Sequence, residues 1–166
     1  MFANTDSIRQ LGFEGFVTVS ELWLSRCSQV PSSPGVYLVL HASKSRPEFL
    51  DVGSGGYFKK RNPNVSVELL ERNWVDGAVI LNIGKAGGGG QKATLRSRLN
   101  CYMQFGQTKA VPHTGGRFIW QLGCSHDLQV CWKVLPADSV PRAIEKELIL
   151  KFEQAYGSLP FANLKH

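Results

Sequence analysis

Pro34-Gly35-Val36-Tyr37-Leu38-Val39-Leu40 and, further along, Ala78-Val79-Ile80-Leu81-Asn82-Ile83-Gly84-Lys85-Ala86 are the two stretches that decide how this chain folds. Both are runs of β-branched and aliphatic residues bounded by turn formers, which is how a buried strand reads. The Pro31-Ser32-Ser33-Pro34 turn launches the first, and the run Gly87-Gly88-Gly89-Gly90 follows the second. Proline and glycine at those points fix the ends of the elements by their backbone preferences.

Working outward, an amphipathic segment over 19–26 reads as a helix, with Ser20 as its N-cap and Leu22, Trp23 and Leu24 turned inward. Residues 41–64 are dense in Ser, Gly, Pro and Lys and read as a long excursion, with a short helix over 65–74. After the glycines, Thr94 caps a helix that runs to about Phe105 and stops at Gly106. Residues 118–122 and 128–134 are the next strand candidates, the second alternating well. A last helix over 141–156 has Pro141 at its start and Gly157 at its end. The order strand, strand, helix, strand, strand, helix predicts an α/β (α+β) fold: a small central sheet, antiparallel or mixed, flanked by helices. No repeat or compositional break suggests more than one domain over 1–166, with an insertion at about 41–75 between the first two core strands.

Composition narrows the function classes. The chain has 166 residues and a formal charge of +6 with a pI near 9.3. Such an excess suits a polyanionic partner, although it also serves plain solubility. Apolar runs are strand-sized, which argues against a membrane partner, and the first residues lack a basic stretch followed by an apolar one, so the expectation is a cytoplasmic protein. Cys27, Cys101, Cys124 and Cys131 are scattered, as are His41, His113, His126 and His166, which disfavours a Cys/His metal centre. The glycine run lacks the Gly-Lys-Ser/Thr ending of a triphosphate-binding loop and the spacing of a dinucleotide fingerprint, and reads as a flexible link.

Three polar residues stand where apolar ones are expected. Arg98 shares a helix face with Leu95, Leu99 and Tyr102, and Glu145 shares one with Leu148, Ile149 and Phe152. Glu147 falls on the wetter side with Leu150, Lys151 and Gln154. Tyr37 sits mid-strand, where a tyrosine is ordinarily half-buried core. The plain explanation is that Arg98 and Glu145 pair with each other, since buried charges usually do.

In order along the chain, however, Gly35-Val36-Tyr37 after Val30-Pro31-Ser32-Ser33-Pro34, Asn82-Ile83-Gly84-Lys85-Ala86, Leu95-Arg96-Ser97-Arg98-Leu99 with Tyr102, Glu145 with Leu148 and Phe152, and Pro160-Phe161-Ala162-Asn163 resemble the conserved blocks of GIY-YIG nucleases. The likeness is strongest to the N-terminal incision domain of the UvrC-type excision nuclease. The blocks span residues 30 to 163. The resemblance implies a metal-dependent DNA endonuclease in which Tyr37 assists the attacking water, Arg98 grips the scissile phosphate and Glu145 holds Mg²⁺ or Mn²⁺. It further implies that Lys85 supplies positive charge, Tyr102 supports by hydrogen bonding and Asn163 anchors the network. Glu147 is the alternative ligand should the helix be rotated.

Two departures from that pattern stand out. Asn82 occupies the position of the second tyrosine, and an amide cannot serve as a phenolate base. The link from Tyr37 to Asn82 is also much longer than the family's hairpin. It carries Lys44, Arg46, Lys59, Lys60 and Arg61 beside Tyr57 and Phe58, a mixture suited to gripping a nucleic-acid backbone. Arg96, His113 and Arg117 are further candidates for phosphate contact. A catalytically degenerate DNA-binding module and a partner-binding domain without nucleic acid are the competing readings. With no appended DNA-reading module, specificity would come from the insertion, from a homodimer or from an accessory protein.

Overall fold

Alternation along Gly35–Leu40 sends Val36, Leu38 and Leu40 to one side and Tyr37 and Val39 to the other, and all six residues of the strand are buried. A strand covered on both faces needs helices above and below it. The computed structural model, which describes residues 1–164, has this arrangement. The strands are β1 (Glu14–Thr18), β2 (Gly35–Leu40), β3 (Ile80–Ala86) and β4 (Gln129–Val134). They form one sheet in the order β1-β4-β2-β3 with every pairing antiparallel. The helices are α1 (Thr5–Gln10), α2 (Val19–Ser25), α3 (Val67–Asn73), α4 (Leu95–Phe105) and α5 (Pro141–Tyr156). On one face α2, α3 and α4 pack over Tyr37, Val39 and Val130; on the other α1 and α5 pack over Val36, Leu38, Leu40 and Cys131.

The local rules decide most helix ends. The Thr94 hydroxyl accepts from the Ser97 amide (3.1 Å) and the Ser97 hydroxyl accepts from the Thr94 amide (2.9 Å), so α4 begins with two of its orphan donors satisfied. Gly106 follows it, and α5 runs from Pro141 to a left-handed Gly157. At α2 the cap is Thr18 and not Ser20. The Thr18 hydroxyl and the Glu21 carboxylate accept reciprocally from each other's amides at 3.1 Å. Leu24 is 89% exposed, because a helix this short turns only Val19 and Leu22 fully inward.

Two further corrections concern strands. Residues 117–121 form a short 3₁₀ turn and not a strand, with Phe118, Ile119 and Trp120 all buried. An apolar run without alternation carries no period to tell the two apart. β1, in turn, escapes sequence reading: Gly15 and Phe16 both take positive φ and make a bulge that shifts its register against β4.

The insertion between β2 and β3 packs back onto the domain. The buried Gln121 side chain donates to the carbonyls of Leu50 and Val65 (both 2.9 Å) and accepts from the Val65 amide (2.9 Å), which rivets both ends of the excursion to the 117–121 turn. Trp74 adds an edge-on contact with Phe161 at 5.4 Å between ring centres. β3 lies at the sheet margin, and the C-terminal segment runs along it: the Ala162 amide donates to the Leu81 carbonyl at 2.8 Å. Among the described residues no helix is long and apolar enough to cross a membrane.

Candidate functional site

The register of β2 against β3 sets the site. Tyr37 lies opposite Gly84, Val39 opposite Asn82 and Val36 opposite Lys85. Tyr37, Asn82 and Gly84 therefore share the face covered by α4, while Lys85 turns to the face covered by α5. A side chain at position 84 would collide with the Tyr37 ring, since an ideal Cβ there falls 2.2 Å from Tyr37 Cζ. Glycine at this point lets the phenol lie flat across the neighbouring strand.

Around the end of β3 opens a cleft of about 670 Å³. It collects Tyr37 from β2, Lys85 from β3, Arg98 from α4, Glu145 from α5 and Asn163 from the tail, residues far apart in the chain. Asn163 holds its place by two hydrogen bonds to the Ile83 backbone, accepting from its amide at 2.8 Å and donating to its carbonyl at 2.9 Å. The cleft is electropositive: Lys85, Arg98, Arg117 and Arg142 line it against the single carboxylate of Glu145.

Tyr37 is 2% exposed and not half-buried. Burial pushes its phenol up to about 12, against the pull of the Arg98 guanidinium and with a smaller push from Glu145. At neutral pH the hydroxyl therefore keeps its proton. Burial likewise raises the Glu145 carboxyl, opposed by Lys85, Arg98 and Arg142 in that order. None of these three closes to ion-pair distance, so the pairing of Arg98 with Glu145 that would explain both away is not made among the described residues.

Behind Arg98 the wall is built from aromatic and amide groups. The Tyr102 hydroxyl donates to the Gly116 carbonyl at 2.6 Å, and the Asn82 amide nitrogen donates to that hydroxyl at 3.5 Å. Gly116, at φ +74°, has no room for a side chain between those two groups. His113 stacks on the Tyr102 ring, its centre 4.3 Å away and tilted by only 3°. It is 1% exposed, so the expected loop histidine contacting phosphate is instead a buried wall residue. Desolvation, reinforced by Arg98, lowers its pKa to about 3, with weak opposition from its own backbone and that of Gly115. Neither ring nitrogen has a partner with hydrogen-bond geometry. The imidazole is neutral and presents unmet polar atoms within a wall of the cleft.

Other expected residues lie elsewhere. Arg96 points out from α4 and is held by the carbonyls of Val30 (2.7 Å) and Ser28 (3.0 Å), away from the cleft. Lys59 and Lys60 are exposed on a short turn and line neither the cleft nor the two depressions beside it. Arg61 lines one of those depressions, which shares Arg117 with the cleft. Glu147, the alternative ligand, is exposed, bonded to Lys151 at 2.6 Å and outside the lining of the cleft. Arg142 is a cleft residue that the sequence reading passed over. It stands three residues before Glu145 on α5, and the helical counting that singled out the glutamate would have found it.

For a divalent metal the donor set is sparse: among the described residues no group of three or more His, Cys, Asp or Glu side chains gathers. Glu145 alone fits a hard cation that takes one carboxylate and completes its shell with water and substrate phosphate. The glycine run forms part of the rim, with Gly87 and Gln91 lining the cleft and the Gln91 amide closing a turn onto Gly88 at 3.0 Å. No protein-family model matches the chain, and no curated protein or solved structure matches it either.

Proposed function

We propose that this protein is a metal-dependent DNA endonuclease of the GIY-YIG kind that hydrolyses a phosphodiester bond. The observation that carries the proposal is the convergence of Tyr37, Arg98 and Glu145, from three elements, on one electropositive cleft. A guanidinium at that position grips a phosphate by two parallel hydrogen bonds and offsets the charge that grows on its oxygens during attack. Lys85 and Arg142 add positive potential on the α5 side. A Mg²⁺ or Mn²⁺ held by Glu145 would supply Lewis-acid charge and acidify a bound water.

Tyr37, protonated at neutral pH, acts as a fixed donor that orients the attacking water and does not remove its proton. Asn82 keeps the phenol of Tyr102 in its network but cannot take a proton either. Because metal binding needs the carboxylate form, activity falls on the acid side as protons compete with the metal for Glu145.

A nicking assay on supercoiled plasmid with Mg²⁺ or Mn²⁺ tests the reading. Arg98→Ala and Glu145→Gln are each expected to lose on the order of 10²–10³-fold in rate, the scale of removing one charge-stabilising group. Wild-type activity in both variants overturns it. Asn82 and the high pKa of Tyr37 favour a second reading, a DNA-binding module without turnover. Tight, steeply salt-dependent binding by wild-type protein that leaves DNA uncut with either metal would select it.

A further inference from the structure

Two smaller depressions adjoin the cleft, and Arg117 lines all three. One, of about 410 Å³, lies between α3 and the C-terminal segment and carries Arg72 beside Asn73 and Ser158. The other, of about 160 Å³, lies between the insertion and the end of α4 and carries Arg61 beside Asn62 and Phe58. Neither has an acidic residue in its lining. The three adjoining depressions together are lined by Lys85, Arg98, Arg142, Arg117, Arg72 and Arg61 against one carboxylate, Glu145, although the whole chain has 19 basic and 13 acidic residues. None of the six is engaged in an ion pair among the described residues. Elsewhere, by contrast, Arg46 leans on Asp76 and Lys151 is bonded to Glu147.

Unpaired like charges held side by side repel one another, and that arrangement suits an anion threaded among them. We infer that the DNA backbone leaves the cleft on both sides of Arg117, and that Arg72 and Arg61 each neutralise one phosphate flanking the scissile one. The insertion thereby becomes the part of the protein that holds the substrate, through Arg61 before α3 and Arg72 within it. Gln121 ties the backbone on both sides of Arg61, and just before α3, to the 117–121 turn that begins at Arg117. This inference rests on the endonuclease reading and extends it to substrate contacts beyond the reacting centre.

The test is binding of a fluorescein-labelled DNA duplex, followed by anisotropy in EDTA so that nothing is cut, over a series of KCl concentrations. For every phosphate that is no longer neutralised, the log–log salt slope should fall in magnitude by about 0.9. Arg72→Ala and Arg61→Ala should each show that drop, the double variant should show both, and Lys151→Ala, which lines none of the depressions, should match wild type. Arg72→Glu should weaken binding further than Arg72→Ala. Both arginines are exposed, and an unchanged thermal midpoint certifies folding. Wild-type slopes in both single variants, with Arg98→Ala still weakened, overturn the inference while leaving the endonuclease reading intact. A drop at only one position overturns the two-sided path. Absence of salt-dependent binding by wild-type protein removes the endonuclease reading as well.

Discussion

The two faces of the sheet are built from different materials. Under α5 the core is entirely apolar: Val36, Leu38, Leu40, Ile83, Leu148, Ile149 and Phe152 meet with no buried polar side chain among them. Under α4 the core includes tryptophans and tyrosines, and buried among or beside them are Asn82, His113 and Gln121. Gln121 is bonded at both ends of its amide, whereas His113 leaves two nitrogens unmet. An unpartnered buried polar group costs about 1–3 kcal/mol. The apolar face holds the molecule together; the other accepts that penalty beside the cleft.

The largest expected effect belongs to the apolar face. Phe152 is fully buried against Phe2 and Tyr156, and Phe152→Ala should lower unfolding free energy by about 3–5 kcal/mol in a urea titration. Cleavage per folded molecule should change little, and a loss of rate matching that of Arg98→Ala would break the division of labour. On the polar face, His113 has its pKa lowered, so between its ordinary value and about 3 the unfolded chain binds a proton that the folded one refuses. Stability is therefore lost as pH falls through that window, by up to a few kcal/mol. His113→Phe preserves the stack on Tyr102 without the nitrogens, and the plot of melting temperature against pH should flatten below pH ~6. An unchanged acid limb would mean the imidazole is not kept neutral.

Smaller effects sharpen the contrast further. Gly84→Ala drives a methyl into the Tyr37 ring, and overpacking of this kind costs about 1–3 kcal/mol. Here cleavage should fall with stability, because the displaced ring is Tyr37; retained cleavage would separate the phenol from the reaction. The smallest is Glu145→Gln. A raised carboxyl pKa stabilises the fold below the ordinary carboxylate range, and that contribution is lost as pH rises through the raised value. The amide should accordingly melt slightly higher than wild type at pH 8 but not at pH 4, while the nicking rate falls on the order of 10²–10³-fold. A lower melting temperature at pH 8 would show that the surrounding cations outweigh burial.

The elements written in local chemistry were the legible ones. Thr94 with Ser97, and Pro141 with Gly157, mark α4 and α5 because capping is decided within a few residues. Arg98 and Glu145 were visible because a charge on an apolar helix face contradicts its neighbours. β1 was not, since Gly15 and Phe16 break its alternation, and 117–121 was not, since a fully buried run has no period. The burial of His113 had no local signal: it depends on Tyr102, which α4 places against it. The pairing of Tyr37 with Gly84 likewise depends on strand register, which no single segment encodes.

Asn163 spends both ends of its amide on Ile83, and in doing so occupies the donor and acceptor that a neighbouring chain would need to continue the sheet past β3. On the opposite flank the kink at Gly15 and Phe16 spoils β1 as a template. Both margins of the sheet are thus poor templates for a further strand.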